Sequence, residues 1–420
     1  MKLGSLWLVC NSEHIARAGL LRRLPILLAY VTLGATPVAA QSVAGWTRHE
    51  ADRLKVWAAR APEDALPALD TTSLDDAIAS GDGAAIDGEA TALALRLARW
   101  HLLGAVPASR RAGWHITDTD SSVDLRERLA RALAMNSLDS FFEGLRPAHR
   151  DYAALRRQYG VESDPARRRT LALNMERWRW MPRVLGSDYI LVNAAAFEAR
   201  LSLQGREPSR WRVIVGKRST PTPIFSAQVT GVILNPWWTV PASIVREKRG
   251  VFPASAGYVR SGGQVRQKPG PTNALGEMKL DMPNPYTVYM HDTPSKALFD
   301  REVRAFSHGC VRVDHALDFA RTLLAGTMSR EQIDAVVARR VTTTVPLERA
   351  LPVYIAYFTA SASEEGGVAF HPDIYGRDAR QGMAEVTRPA AVASSDPASE
   401  CGQAEALALN EAPAAALVQR

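Results

Sequence analysis

The apolar positions along the chain change their period near residue 188. Before about residue 165 they recur at helical spacing. Residues 91–103 (TALALRLARWHLL) are rich in Leu and Ala, both strong helix formers. Residues 123–135 and 148–159 are amphipathic, the latter stopping at Gly160, and a short helix is predicted over about 165–180. Residues 71–88 combine small and acidic side chains with Gly81-Asp82-Gly83, which predicts a loop. From Asp188 onward short β-rich runs take over, at 189–193, 197–203, 211–215, 229–234, 287–290 and 353–358. Two helices, at 315–325 and 330–338, precede the last run. Short strands broken by Gly and Pro turns predict an α+β chain: a helical unit, then a mostly-β sandwich or barrel-like unit with a few helices.

Residues 242–286 interrupt the strand rhythm with Gly257, Gly262, Gly263, Lys268, Pro269, Gly270 and Pro271. A stretch of this length inside a compact unit is usually functional or mobile. Beyond Arg380 the chain turns Ala-rich and polar, the composition of a disordered tail.

Composition adds bounds. With 420 residues, 46% hydrophobic and 23% charged, the chain suits two globular units with tails. Arg17, Arg22 and Arg23 precede an apolar run at 24–33, followed by Val38-Ala39-Ala40 and Gln41, the pattern of an export signal cleaved after Ala40. That run is short for a membrane span. Residues 1–16 make a long leader to it, which allows a later true start. The net charge is +7; removing residues 1–40 takes four basic residues and one acid and leaves +4, a mild attraction to a polyanionic wall. The Arg-rich stretch 146–183 reads as a solvated helical face rather than a nucleic-acid site, and export argues the same way. Of the three cysteines, Cys10 leaves with the signal, and Cys401 sits in the tail, so a stable bridge to Cys310 is not expected.

The candidate chemistry lies in one segment, YMHDTPSKALFDREVRAFSHGCVRV (289–313). Cys310 is a candidate nucleophile, and a thiol needs a base and a favourable field to ionise. His291 and His308 supply imidazoles that titrate near neutral pH. Gly309 allows a sharp turn whose amides can hold an oxyanion. In an extended segment His308 and Cys310 share a face. Ser307 suits either a histidine or the turn backbone as partner. Asp292 either orients His291 or, the preferred reading, caps the turn at Thr293-Pro294; a backbone carbonyl would serve as the third member of a triad. Arg312 suits a substrate with free carboxylates, or a pair with an acid of its own domain. Tyr289 and Trp237 are candidate pocket walls or core aromatics. One Cys and two His also suit an open zinc site, but the chain holds neither a CxxC nor an HExxH motif, so no metal is expected.

HDTPSKALF and RAFSHGCVRV, with residues 292–306 between His291 and Ser307, resemble the signature of the L,D-transpeptidases and their YkuD catalytic domain. NMERWRWMP (174–182), VIVGK (213–217), TPIFS (222–226), NPWWTVP (235–241), RQKPGPTNALGEMKL (266–280) and YIAYFTA (354–360) resemble the large Gram-negative subgroup. The likeness covers roughly residues 85–378, most strongly from Asn174. It implies a signal peptide at 1–40, a helical scaffold domain at 41–165, a linker helix at 166–187, a catalytic domain at 188–360 with a capsule-like mobile insertion at 242–286, an extension at 361–379 packed on it, and a tail at 380–420. The family's separate peptidoglycan-binding module has no counterpart in the sequence. The resemblance assigns Cys310 as nucleophile, His291 as base, and His308, Gly309 and Ser307 to the oxyanion region. It implies no cofactor. It implies a monomeric periplasmic enzyme acting on peptidoglycan stem peptides, with a tetrapeptide donor and a diaminopimelate acceptor joined in a 3–3 cross-link, and covalent inhibition by carbapenems. Hydrolysis of the same thioester, transfer to a lipoprotein, and a non-catalytic wall-binding role are the alternatives.

Overall fold

The computed structural model describes residues 45–206 and 208–380. The export segment at 1–40 with Cys10, and the tail beyond 380 with Cys401, lie outside the described residues.

Helices dominate the first part: Arg48–Arg60, Thr72–Ser80, Gly83–Leu103, Leu125–Ala134, Leu138–Leu145 and Arg150–Val161. Local chemistry sets their ends. Thr47 and Glu50 form a reciprocal capping box, and Asp82 accepts the Ala84 amide at 2.9 Å. The loop expected over 71–88 shrinks to the turn at Gly81-Asp82. Leu74, Ala77 and Ile78 are spaced to bury one helical face, and the acidic residues between them face solvent. Leu54, Trp57, Leu93, Leu97, Leu129 and Phe142 belong to the core of this helical part.

Eight strands close into a mixed barrel. In spatial order they are Ile224–Leu234, Thr343–Ala356, Tyr189–Asn193, Glu198–Ser202, Ser209–Gly216, Val311–Val313, Met290–His291 and Met278–Asp281, which pairs back onto Ile224–Leu234. Thr343–Ala356 is parallel to Tyr189–Asn193, and Met290–His291 is parallel to Val311–Val313; the other ring pairings are antiparallel. The short strands Trp114–His115 and Ala305–Ser307 add at the outside of the ring. Tyr189–Asn193 is buried throughout because helices and loops cover what the barrel interior does not. Helix Ala316–Leu323 packs on the outside, where Phe319 meets Trp211 edge-on at 5.1 Å. Helix Arg330–Ala338 forms as expected.

Three expectations change in extent. The run at 229–234 is the end of an 11-residue strand, and the run at 353–358 ends a 14-residue strand. The run at 287–290 contributes only Met290–His291, since Asn284 ties residues 282–288 into a loop through bonds to Met282 and Val288 carbonyls. The insertion at 242–286 is not one long loop. It holds helix Ala242–Glu247 and the strands Tyr258–Ser261 and Gln264–Gln267, which form a three-stranded sheet with Trp238–Thr239 just before it, and its end supplies a barrel strand.

Helix Pro165–Arg179 starts at a sharp signal, an Asp164 cap on the Arg167 amide followed by Pro165. It is no exposed tether: Leu171 through Arg179 are all buried, and Leu171, Met175 and Trp178 join the barrel core together with Tyr152 and Leu155. The Arg-rich stretch is therefore in large part not a solvated face. Arg177 binds Asp378 at 2.9 Å, Arg146 and Arg156 converge on buried Asp64, and Arg179 pairs with Glu176 at 3.1 Å, both side chains fully buried. Glu176 also accepts from the Val106 amide and the Trp180 indole. Glu176→Leu strands the Arg179 charge and should lower unfolding stability by about 3–5 kcal/mol, with Glu176→Leu/Arg179→Met recovering only the part due to the stranded charge, since the Val106 amide and Trp180 indole stay unpaired; urea unfolding of both variants checks this.

Candidate active site

Three short strands set the site. His291 stands opposite Arg312 on one side and opposite Lys279 on the other. In Val311–Val313 the two valines point into the barrel, and in Met278–Asp281 so do Met278 and Leu280. Lys279, His291 and Arg312 therefore form a row on the outer face. One step along, the Val311 amide donates to the Tyr289 carbonyl at 2.9 Å, so Tyr289 neighbours Cys310. Side chains two apart share a face, which makes Cys310 the diagonal neighbour of His291. The base and nucleophile read from the sequence are thus brought onto one face.

His291 is buried, and its Nδ1 bonds to the Asp292 backbone carbonyl. A carbonyl only accepts, so Nδ1 carries the proton in its bond to Asp292; the Leu275 carbonyl also acts on the ring. Burial first, and the Arg312 charge second, push the imidazole down to about 3. It is neutral at physiological pH, able to take a proton but not to sit as a standing imidazolium.

The Asp292 carboxylate plays neither of the roles weighed for it. It bonds to Lys296 and accepts the Glu277 amide at 2.9 Å, packed against Gly276. Gly276 has φ +63°, and a Cβ there would lie 2.3 Å from an Asp292 oxygen. The peptide that orients His291 is held by this contact.

Cys310 is a free, partly exposed thiol. Burial of its surroundings pushes it up, opposed by a Tyr289 backbone hydrogen bond and by the charges of Arg312 and Lys279. Arg312 Nε is buried with no hydrogen-bond partner. The Lys279 ammonium lies 4.0 Å from the centre of the Tyr289 ring. Sequence reasoning missed Lys279, since nothing but strand register links it to the cysteine.

The SHGC turn is clamped. Gly309 has φ +112°, a conformation that favours glycine. Buried Ser307 donates to the Cys310 carbonyl at 2.5 Å and accepts the Gly309 amide at 3.1 Å, so its partner is the turn backbone and not a histidine. That bond occupies the Gly309 N–H. Thr222 donates to the Gly309 carbonyl at 2.9 Å and accepts the Gly216 amide at 2.9 Å; Tyr375 donates to the Gly216 carbonyl at 2.6 Å. Arg377 donates to the Thr222 carbonyl at 2.8 Å. Thr222 stands in the TPIFS motif, but its bond to the Gly309 carbonyl, like the contacts of Tyr375 and Arg377, spans 87 to 159 positions and had no sequence signal.

His308 is exposed and points to the insertion, its Nε2 2.7 Å from Glu247 of helix Ala242–Glu247. Glu247 is held below the usual carboxylate range, chiefly by that bond. Trp237 packs under the Arg266 guanidinium, 4.7 Å from its ring centre. Of the site residues read from sequence, the structure gathers Cys310, His291, Arg312, Tyr289, Ser307 and Gly309; His308 is engaged by the insertion, and Trp237 by Arg266.

Gly276→Ala should displace Asp292 and cost about 1–3 kcal/mol of stability. Asp292→Gly in the same chain removes all three contacting side-chain atoms and should recover part of that loss; thermal unfolding of the two variants is the check.

Residues 187–347 match the family model of the L,D-transpeptidase catalytic domain (YkuD), and residues 43–158 match that of a scaffold domain. A Haemophilus influenzae protein named "Putative L,D-transpeptidase" is 32% identical over 246 residues, 51% of this chain and 49% of that one. The chain thus spans about half the length of that curated relative. Among solved structures, an L,D-transpeptidase from Mycobacterium smegmatis is 14% identical with TM-score 0.23, covering 40% of this chain and 58% of its own. L,D-transpeptidase 3 from Mycobacterium tuberculosis is 16% identical with TM-score 0.23, covering 40% and 61%. By the two family models, the chain carries a YkuD-type L,D-transpeptidase catalytic domain with an associated scaffold domain.

Proposed function

We propose that this protein is a periplasmic cysteine acyltransferase that joins peptidoglycan stem peptides by 3–3 cross-links. The observation that carries the reading is the partly exposed Cys310 thiol on the same face as the neutral, carbonyl-oriented His291. The catalytic-domain match supports the general class of activity.

In this reading the Cys310 sulfur attacks the carbonyl between diaminopimelate and the terminal D-alanine of a tetrapeptide donor. The thiol proton passes to His291 Nε2. The Cys310 amide is the oxyanion donor at the turn, since the Gly309 amide is taken by Ser307. The C–N bond breaks, the proton goes to the leaving amine, and D-alanine departs, leaving a thioester. The side amine of a second stem's diaminopimelate then attacks that thioester, the C–S bond breaks, and the sulfur recovers its proton. Arg312, half-buried with an unpartnered Nε, suits the stem carboxylates. A β-lactam carbonyl presents the same electrophile, so carbapenems acylate the same sulfur.

Muropeptide analysis after incubation of wall sacculi with the purified protein tests this. The expected products are 3–3 dimers and free D-alanine, abolished in Cys310→Ala. Released tripeptides or cleaved cross-links without 3–3 dimers would assign the thioester to water; transfer to a lipoprotein lysine would assign it to wall anchoring. Product formation equal in Cys310→Ala, or no carbapenem adduct on the intact wild-type mass, would contradict the enzyme reading.

A further inference from the structure

Among the described residues, the Cys310 site contains two cations, Lys279 and Arg312, that form no ion pair with a carboxylate. Both are half-buried, and Arg312 Nε has no hydrogen-bond partner. Lys279 lies over the Tyr289 ring at 4.0 Å, on the face it shares with His291. Removing two charges from water without partners is costly, unless an anion forms between them. His291 is not that anion's counter-charge, because it is buried and flanked by both cations in the row. Besides Asp281 on the Lys279 strand, and the Tyr289 phenol, whose ionisation burial disfavours, the group between Lys279 and Arg312 that can become negative is the thiol on the adjacent step.

We propose that Lys279 is a positioning residue that holds the Cys310 thiolate, acting as a second cation beside Arg312 from two strands away. The inference rests on Cys310 being the nucleophile. It adds a division of labour: the two cations stabilise the sulfur anion, and His291 handles the proton. The titratable and charged groups around the sulfur are Arg312 just after it, Tyr289 and His291 on the next step, and Lys279 and Asp281 on the third strand; His308, with Glu247 and Lys217, lies at the preceding turn. Asp281 shares the face of Lys279 two residues away and tempers its charge. The charges of Lys279 and Cys310 act on each other in the same sense from both sides.

The test is the pH profile of Cys310 alkylation by iodoacetamide in the full chain, a readout independent of wall chemistry. Lys279→Met should move the profile up by about one pH unit and slow alkylation near pH 7 about tenfold, and Lys279→Arg should restore it. A Lys279→Met profile superimposed on wild type, or one that Lys279→Arg fails to restore at an unchanged melting temperature, overturns the proposal. If Lys279→Met does not fold, linkage decides with Lys279 in place. The Lys279 side chain, followed by carbon NMR, should titrate at higher pH in wild type than in Cys310→Ser; equal titration overturns the proposal. Wall cross-linking by wild type with an unshifted profile would sink this inference alone. A shifted profile without any wall product would sink the proposed function alone.

Discussion

The site depends on the register of three strands that together span only nine residues. Met278–Asp281, Met290–His291 and Val311–Val313 are too short to be stable alone, and the closed barrel fixes them. A slip of one residue in any pairing would send Lys279, His291 or Arg312 into the core and a Met or Val to the surface. Burial of Met278, Leu280, Met290, Val311 and Val313 therefore specifies the chemistry as well as the fold. Apolar packing on the inner face determines which polar groups meet on the outer one.

Two further restraints act on the nucleophile's turn from opposite sides. Tyr375 and Arg377, far along the chain, hold Gly216 and Thr222, and Thr222 holds the Gly309 carbonyl. The extension at 361–379 is thus tied to the geometry of Cys310. From the other side Glu247 of the insertion reaches His308. Each bond is worth only about 1 kcal/mol net. Their combined effect is to restrain the backbone turn that carries Cys310.

Much of this was legible in the residues. Apolar runs fell on most of the ring strands, and the helix expected over about 165–180 is the one that enters the barrel core. Thiol chemistry marks Cys310 with two candidate bases, His291 and His308, and the resemblance to the L,D-transpeptidase signature selects His291. What was not legible depends on contacts distant in sequence. Lys279 looks like any strand lysine until its register with His291 is known. The loop expected at 71–88 failed because small acidic residues serve equally well as the wet face and cap of helices. Arg177 and Arg179 read as surface charges because their acids, Asp378 and Glu176, become partners only in the folded core. Asp292 was weighed by its carboxylate, whereas its backbone carbonyl meets the imidazole.

The central claim is that His291 rests neutral, with its one proton on Nδ1. Nitrogen NMR of the labelled His291 ring, followed from pH 8 to pH 4, tests it most directly. The account predicts one unchanged neutral tautomer with the proton on Nδ1 across that range, because the ring titrates at about 3. A ring that gains its second proton near the ordinary value of about 6.5, or one that carries its single proton on Nε2, would contradict it.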